Sequence, residues 1–114
     1  MNESAVVVDL RQHVANGLEV TLSVDGPHLV VALHGEIDAA NADLLPAVVA
    51  GAVNGDDSVR VDITNVTFLD SSLLRALLIC ETRLLIDGVE LKVRNPSPQA
   101  RRIFELTNLA SLLE

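Results

Sequence analysis

Residues 18–25 read Leu-Glu-Val-Thr-Leu-Ser-Val-Asp, and this strict alternation constrains the chain more than any other feature. A period of two places Leu18, Val20, Leu22 and Val24 on one side of an extended segment and the polar residues on the other. Such a segment is a strand with one dry face and one wet face. Asp25-Gly26-Pro27 follows with turn chemistry, and His28–Gly35 is a second strand, so the two predict an antiparallel hairpin. Val59–Ile63 and Val89–Arg94 alternate in the same way and predict two further strands.

The segments between these strands have helical spacing. Leu44, Leu45, Val48, Val49 and Ala52 define one apolar stripe, with Asn41 or Asp43 as the cap and Asn54-Gly55-Asp56-Asp57 as the end. Pro46 fits only near a first turn, which favours the later cap. Residues 71–87 predict the longest helix, stopped by Gly88. Ser97 and Pro98 are the cap and first position of a final helix carrying Ile103, Phe104 and Leu106, before a short terminal turn with Leu109, Leu112 and Leu113. The order is β-β-α-β-α-β-α, so the last three strands are parallel. The expected fold is a two-layer α/β domain over residues 18–114, a mixed sheet of about four strands with helices packed on one face. His28–Gly35 lies near its centre, because Val30 and Ala32 are apolar on the second face. Residues 1–17 carry no clear period and remain an unassigned N-terminal arm; Val6–Val8 has the composition of a short strand and Leu10–Val14 that of a helical turn.

Composition narrows the chemistry. Of 114 residues 49% are hydrophobic, enough for one core, yet the aromatics are only Phe68 and Phe104, too few to stack bases. A net charge of −8 repels phosphate backbones and anionic lipid, which argues against nucleic-acid and membrane partners. One cysteine, Cys80, excludes an intramolecular disulfide and any multi-cysteine zinc site; it shares a helical face with Leu73, Leu77 and Leu84 and reads as a small buried hydrophobe. His13, His28 and His34 lack metal-ligand spacing. Met1–Ser4 is not a basic leader, and Leu73–Ile86, the most apolar stretch, is broken by Arg75, Glu81 and Arg83. The expectation is a cytoplasmic protein with no metal and no cofactor.

Two short segments carry candidate chemistry. Asp70-Ser71-Ser72 stands between a strand and the most apolar helix. Asp and Ser are helix caps, and the same free N–H groups and dipole end accommodate a phosphate, so a serine there suits phosphorylation. Gly35-Glu36-Ile37-Asp38 ends a strand with two carboxylates, which lack the fuller constellation that acid–base catalysis needs.

The run Val61-Asp62-Ile63-Thr64-Asn65-Val66-Thr67-Phe68-Leu69-Asp70-Ser71-Ser72 resembles the signature of STAS domains, and more narrowly of bacterial anti-sigma factor antagonists. Gly35-Glu36-Ile37-Asp38 with Asn41-Ala42 is similar to the family's loop before its first helix. Leu91–Pro98 leading into Arg102–Thr107 is similar to its C-terminal part. The resemblance covers about residues 18–113. It implies partner switching: the unphosphorylated antagonist binds an anti-sigma factor that is also a serine kinase, phosphorylation breaks the complex, and a PP2C-type phosphatase resets it. By this resemblance the phosphorylated serine is Ser72, with Ser71 the alternative. Glu36, Asp38, Asn41, Asp70, Ser71, Leu73 and Arg75 are then partner-binding positions, and the chain is substrate and ligand rather than enzyme. Leu73 and Arg75 replace two glycines of the family pattern. The alternative function is a non-phosphorylated STAS scaffold or ligand-sensing domain in a signalling complex, and the alternative surface is the polar sheet face around Arg60, Lys92 and Arg94.

Overall fold

The computed structural model describes residues 12–54 and 58–114. Five strands form one sheet: β1 (Gln12–Ala15), β2 (Leu18–Asp25), β3 (His28–Ile37), β4 (Ser58–Leu69) and β5 (Glu90–Arg94), in spatial order 1-2-3-4-5. The β1–β2 and β2–β3 pairs are antiparallel; β3–β4 and β4–β5 are parallel. Helices α1 (Leu44–Ala52) and α2 (Ser71–Ile86) make the crossovers, and α3 (Pro98–Leu106) leads into a 3₁₀ turn at Ala110–Leu112. The four expected strands are present, and β3 is central as its second apolar face implies. β1 is an addition: Gln12–Ala15 extend along the edge of β2 and join the sheet, Asn16-Gly17 form the turn between the two strands, and residues 12–14 are strand rather than helical turn. The Val6–Val8 strand, Met1–Ser4 and Gly55-Asp56-Asp57 lie outside the described residues.

Alternation explains the layers. Leu18, Val20 and Leu22 of β2, Leu29, Val31 and Leu33 of β3, Val59, Val61 and Ile63 of β4, and Leu91 and Val93 of β5 are all buried. They share one core with Leu45 of α1, Leu77 of α2 and Phe104 of α3, so the helices cover a single face. Burying such side chains is worth about 1.5–3 kcal/mol each, which outweighs the weak intrinsic preferences of segments this short. Ser97 Oγ accepts from the Ala100 N–H at 3.0 Å with Pro98 opening α3, as the sequence predicts. Gly88 has φ +72°, the left-handed turn that ends α2.

β4 is longer than its alternation suggests. It has 12 residues against 10 in β3, and the difference is two bulges. Ala32 and His34 pair with Asp62 and Asn65, and Gly35 and Glu36 pair with Val66 and Phe68, so β4 gains one residue at each step. An extra residue reverses which side chains face the core. β5 reaches only as far as Asp62, so the last part of β4 pairs with β3 alone.

On the outer face Arg60 and Arg94 converge on Glu114. Its carboxylate accepts from Arg60 Nε at 2.9 Å and from Arg94 Nε at 2.8 Å, while Arg60 also pairs with Glu90 at 3.0 Å and Arg94 with Asp25 at 3.2 Å. The hydrogen bond from Arg94, reinforced by Arg60, holds the Glu114 carboxyl down to about 2.

Candidate functional site

The parallel strands β3 and β4 end side by side. Ile37 pairs with Leu69, so Asp38 and Asp70 are the next residues of two neighbouring chains. Adjacent strands lie roughly 4.8 Å apart, which brings the Glu36–Asp43 loop and the start of α2 to one place on the carboxyl edge of the sheet.

The loop is closed by its own hydrogen bonds. Asp38 Oδ1 accepts from the Ala40 N–H at 2.9 Å, and the Asp38 carbonyl accepts from the Ala42 N–H at 2.9 Å. Asn41 is 3% exposed: its Oδ1 accepts from the Asp38 N–H at 3.0 Å, and its Nδ2 donates to the carbonyls of Asn16 and Glu36, each at 2.9 Å. Asn41 therefore ties the β1–β2 turn, the end of β3 and the entry to α1 together. Neither Asn41 nor Asp43 forms the expected side-chain cap. Asp43 makes no such bond, and the carbonyls of Asn41 and Ala42 instead accept from Leu44 and Leu45.

The start of α2 is built differently. Asp70 is extended and its carboxylate accepts from the Ser72 N–H at 2.8 Å, an N-cap in the expected form. Ser71 is exposed and Ser72 half-buried. Leu73 is fully buried, in the core with Leu77, while Arg75 is exposed.

These positions separate the expected site residues. Exposed Glu36, half-buried Asp38 and Asp70, and Ser71, Ser72 and Arg75 share one edge and retain accessible surface. Asn41 and Leu73 differ from the others: both side chains are buried, one bonded on three sides and the other packed in the core. Only Arg75 of the two glycine replacements adds bulk outside. The alternative surface is also altered, because Arg60 is 8% exposed and, with Arg94, already bound to acidic residues of this chain. Cys80 is buried as expected, and burial pushes its thiol up to about 11, so it is protonated at neutral pH.

One surface residue was not anticipated from the sequence. Phe68 is 52% exposed beside Asp70 and flanks a groove that runs past Val66 to Gln99 and Ile103 at the start of α3. The signal was the parity of the strand: the two single-residue bulges cancel, so Phe68 keeps the outward side that Arg60 and Asp62 occupy. Among the described residues no helix is long and apolar enough to cross a membrane.

Known proteins share this arrangement. Residues 20–114 match the family model described as Mlab, STAS domain. A STAS-domain containing protein of Pseudomonas aeruginosa (strain UCBPP-PA14) is 31% identical over 93 residues, covering 81% of this chain and 91% of that protein. BtrV of Bordetella bronchiseptica, provisionally named an anti-sigma factor antagonist, is 30% identical over 90 residues, with 78% and 77% covered. The crystal structure of an anti-sigma factor antagonist from Mycobacterium paratuberculosis superposes with a TM-score of 0.71 at 22% identity, over 95% of this chain and 87% of that one.

Proposed function

The chain belongs to the STAS domain family, and from that premise we propose that it is a cytoplasmic anti-sigma factor antagonist that works by partner switching. Unphosphorylated, it binds an anti-sigma factor that is also a serine kinase, and so frees a sigma factor. Phosphorylation at Ser72 ends the complex, and a PP2C-type phosphatase restores it. The ATP site belongs to the kinase; this chain is ligand and substrate.

The observation that supports this reading is the pairing of Ile37 with Leu69. It sets Glu36, Asp38, Asp70 and the two serines on one acidic edge, suited to a partner surface with Arg or Lys. A phosphate there adds about −1.5 to −2 charges beside Asp70, and like-charge repulsion within the patch, together with the cost of desolvating the phosphate, opposes burial of Ser72 in the complex. One observation favours a second reading, a STAS scaffold or ligand-sensing domain that is not phosphorylated: Ser72 is half-buried, and exposed Arg75 stands where the family pattern has glycine. A single experiment separates the two. A pull-down with unphosphorylated protein identifies the partner, and incubation with that partner and ATP is followed by intact mass. Partner switching requires one phosphate on the wild type, none on Ser72→Ala, and loss of the complex on modification. Equal phosphorylation of both proteins moves the site to another residue, and a stable complex without phosphate supports the scaffold.

A further inference from the structure

We infer that Arg75 is an internal clamp for the phosphate of modified Ser72, so that phosphorylation alters two charges of the partner surface at once. The inference rests on the phosphorylation reading above and deepens it. Residues three and four apart on a helix are surface neighbours, and Arg75 stands at i+3 from Ser72 and i+4 from Ser71 within α2. The polarity is favourable too: in such pairs the anion does best on the N-terminal side of the cation. Arg suits the task, because its planar fork offers two parallel donors to phosphate oxygens.

The other described cations are committed elsewhere or stand on other turns and elements. Arg60 and Arg94 bind Glu90, Asp25 and Glu114 on the outer face, and Lys92 donates to the Ser111 carbonyl at 2.6 Å. Arg83 follows Arg75 by eight residues of the same helix, roughly 12 Å along its axis. Arg101 and Arg102 lie on α3. Arg75 is exposed and forms no salt bridge among the described residues. The charges around the serines are otherwise acidic: Asp70 on the same helix start, Glu36 near the end of β3 and Asp38 just after it. A phosphate placed among them draws in Arg75, a turn away. Before modification Arg75 is free to meet a partner; afterwards it is folded back on the phosphate. The partner meets a new anion and loses a cation.

The test needs no kinase. Full-length protein is produced with phosphoserine encoded at position 72, as wild type and as Arg75→Gln, and the phosphate is titrated by phosphorus NMR. The second phosphate ionisation, ordinarily near pH ~6, falls lower in the wild type than in the variant by about half a pH unit, the size of an exposed helical pair with a charged hydrogen bond. Arg75→Lys recovers part of the difference. The Arg75 Nε–H resonance moves on modification only when the pair forms. Identical titration curves for wild type and Arg75→Gln, with an unmoved resonance, overturn the clamp. Absence of kinase-dependent phosphate in the intact-mass experiment overturns the switching reading instead, so the two failures are told apart.

Discussion

The loop after β3 and the start of α2 lie on the same sheet edge and draw on the same small polar residues, yet they use them in opposite ways. In the loop, Asp38 and Asn41 turn inward: the carboxylate of one and the amide of the other bind backbone groups of the loop and of the β1–β2 turn. At the helix start only Asp70 is committed, to the Ser72 N–H, and Ser71, Ser72 and Arg75 keep exposed surface. The difference teaches that polar residues at a functional edge divide into those that hold the backbone and those that face outward. Residue type alone does not tell which is which.

Substitutions across the edge sharpen this contrast. The largest effect is expected on the loop side, at Gly35→Ala. Gly35 has φ +108°, and an added Cβ lies 2.3 Å from the Gly17 carbonyl oxygen. Strain and clash together cost about 3 kcal/mol or more, read as a lowered urea midpoint. Asn41→Ala follows. It leaves the Asp38 N–H and the carbonyls of Asn16 and Glu36 without their partner in a buried position, for a loss of about 2–3 kcal/mol. Asp70→Ala removes a single cap and lowers stability by about 1 kcal/mol in the same denaturation experiment. Arg75→Gln in the unmodified protein comes last, within about 0.5 kcal/mol of wild type, as for surface positions generally. A helix-start substitution that destabilises as strongly as Asn41→Ala breaks the division between the two segments.

Much of the fold was legible because burial and sequence period agree. Leu18–Asp25 alternates and is a half-buried strand; Ser97-Pro98 and Gly88 mark helix ends in the positions expected. Strand β1 was not legible, since Gln12–Ala15 is four residues held by pairing with β2 rather than by a pattern of its own. The second half of β4 was hidden for a different reason: the first bulge shifts the parity, so Val66 packs against the core out of phase with Val59, Val61 and Ile63, and the second restores it, leaving Phe68 outward and Leu69 against the core. At the site, Asp70 as cap and Ser71 as an exposed neighbour follow from local chemistry. The burial of Leu73 follows from the apolar helical face it shares with Leu77, whereas that of Asn41 depends on how the loop is set against the sheet and is settled by a distant partner, Asn16. The salt bridges of Glu114 join residues 54 and 20 positions apart, which no local pattern records.

The unequal lengths of β4 and β5 bear on how this protein behaves when crowded with copies of itself. Beyond Asp62 one side of β4 has no strand neighbour among the described residues, and unpaired backbone of this kind is a template for adding another chain. Here the open stretch is short, carries Thr64, Asn65 and Thr67, and is interrupted by bulges, so its donors and acceptors do not form the even ladder that a second strand requires. The irregularity at the end of β4 thus works against edge-to-edge pairing beside the exposed Phe68.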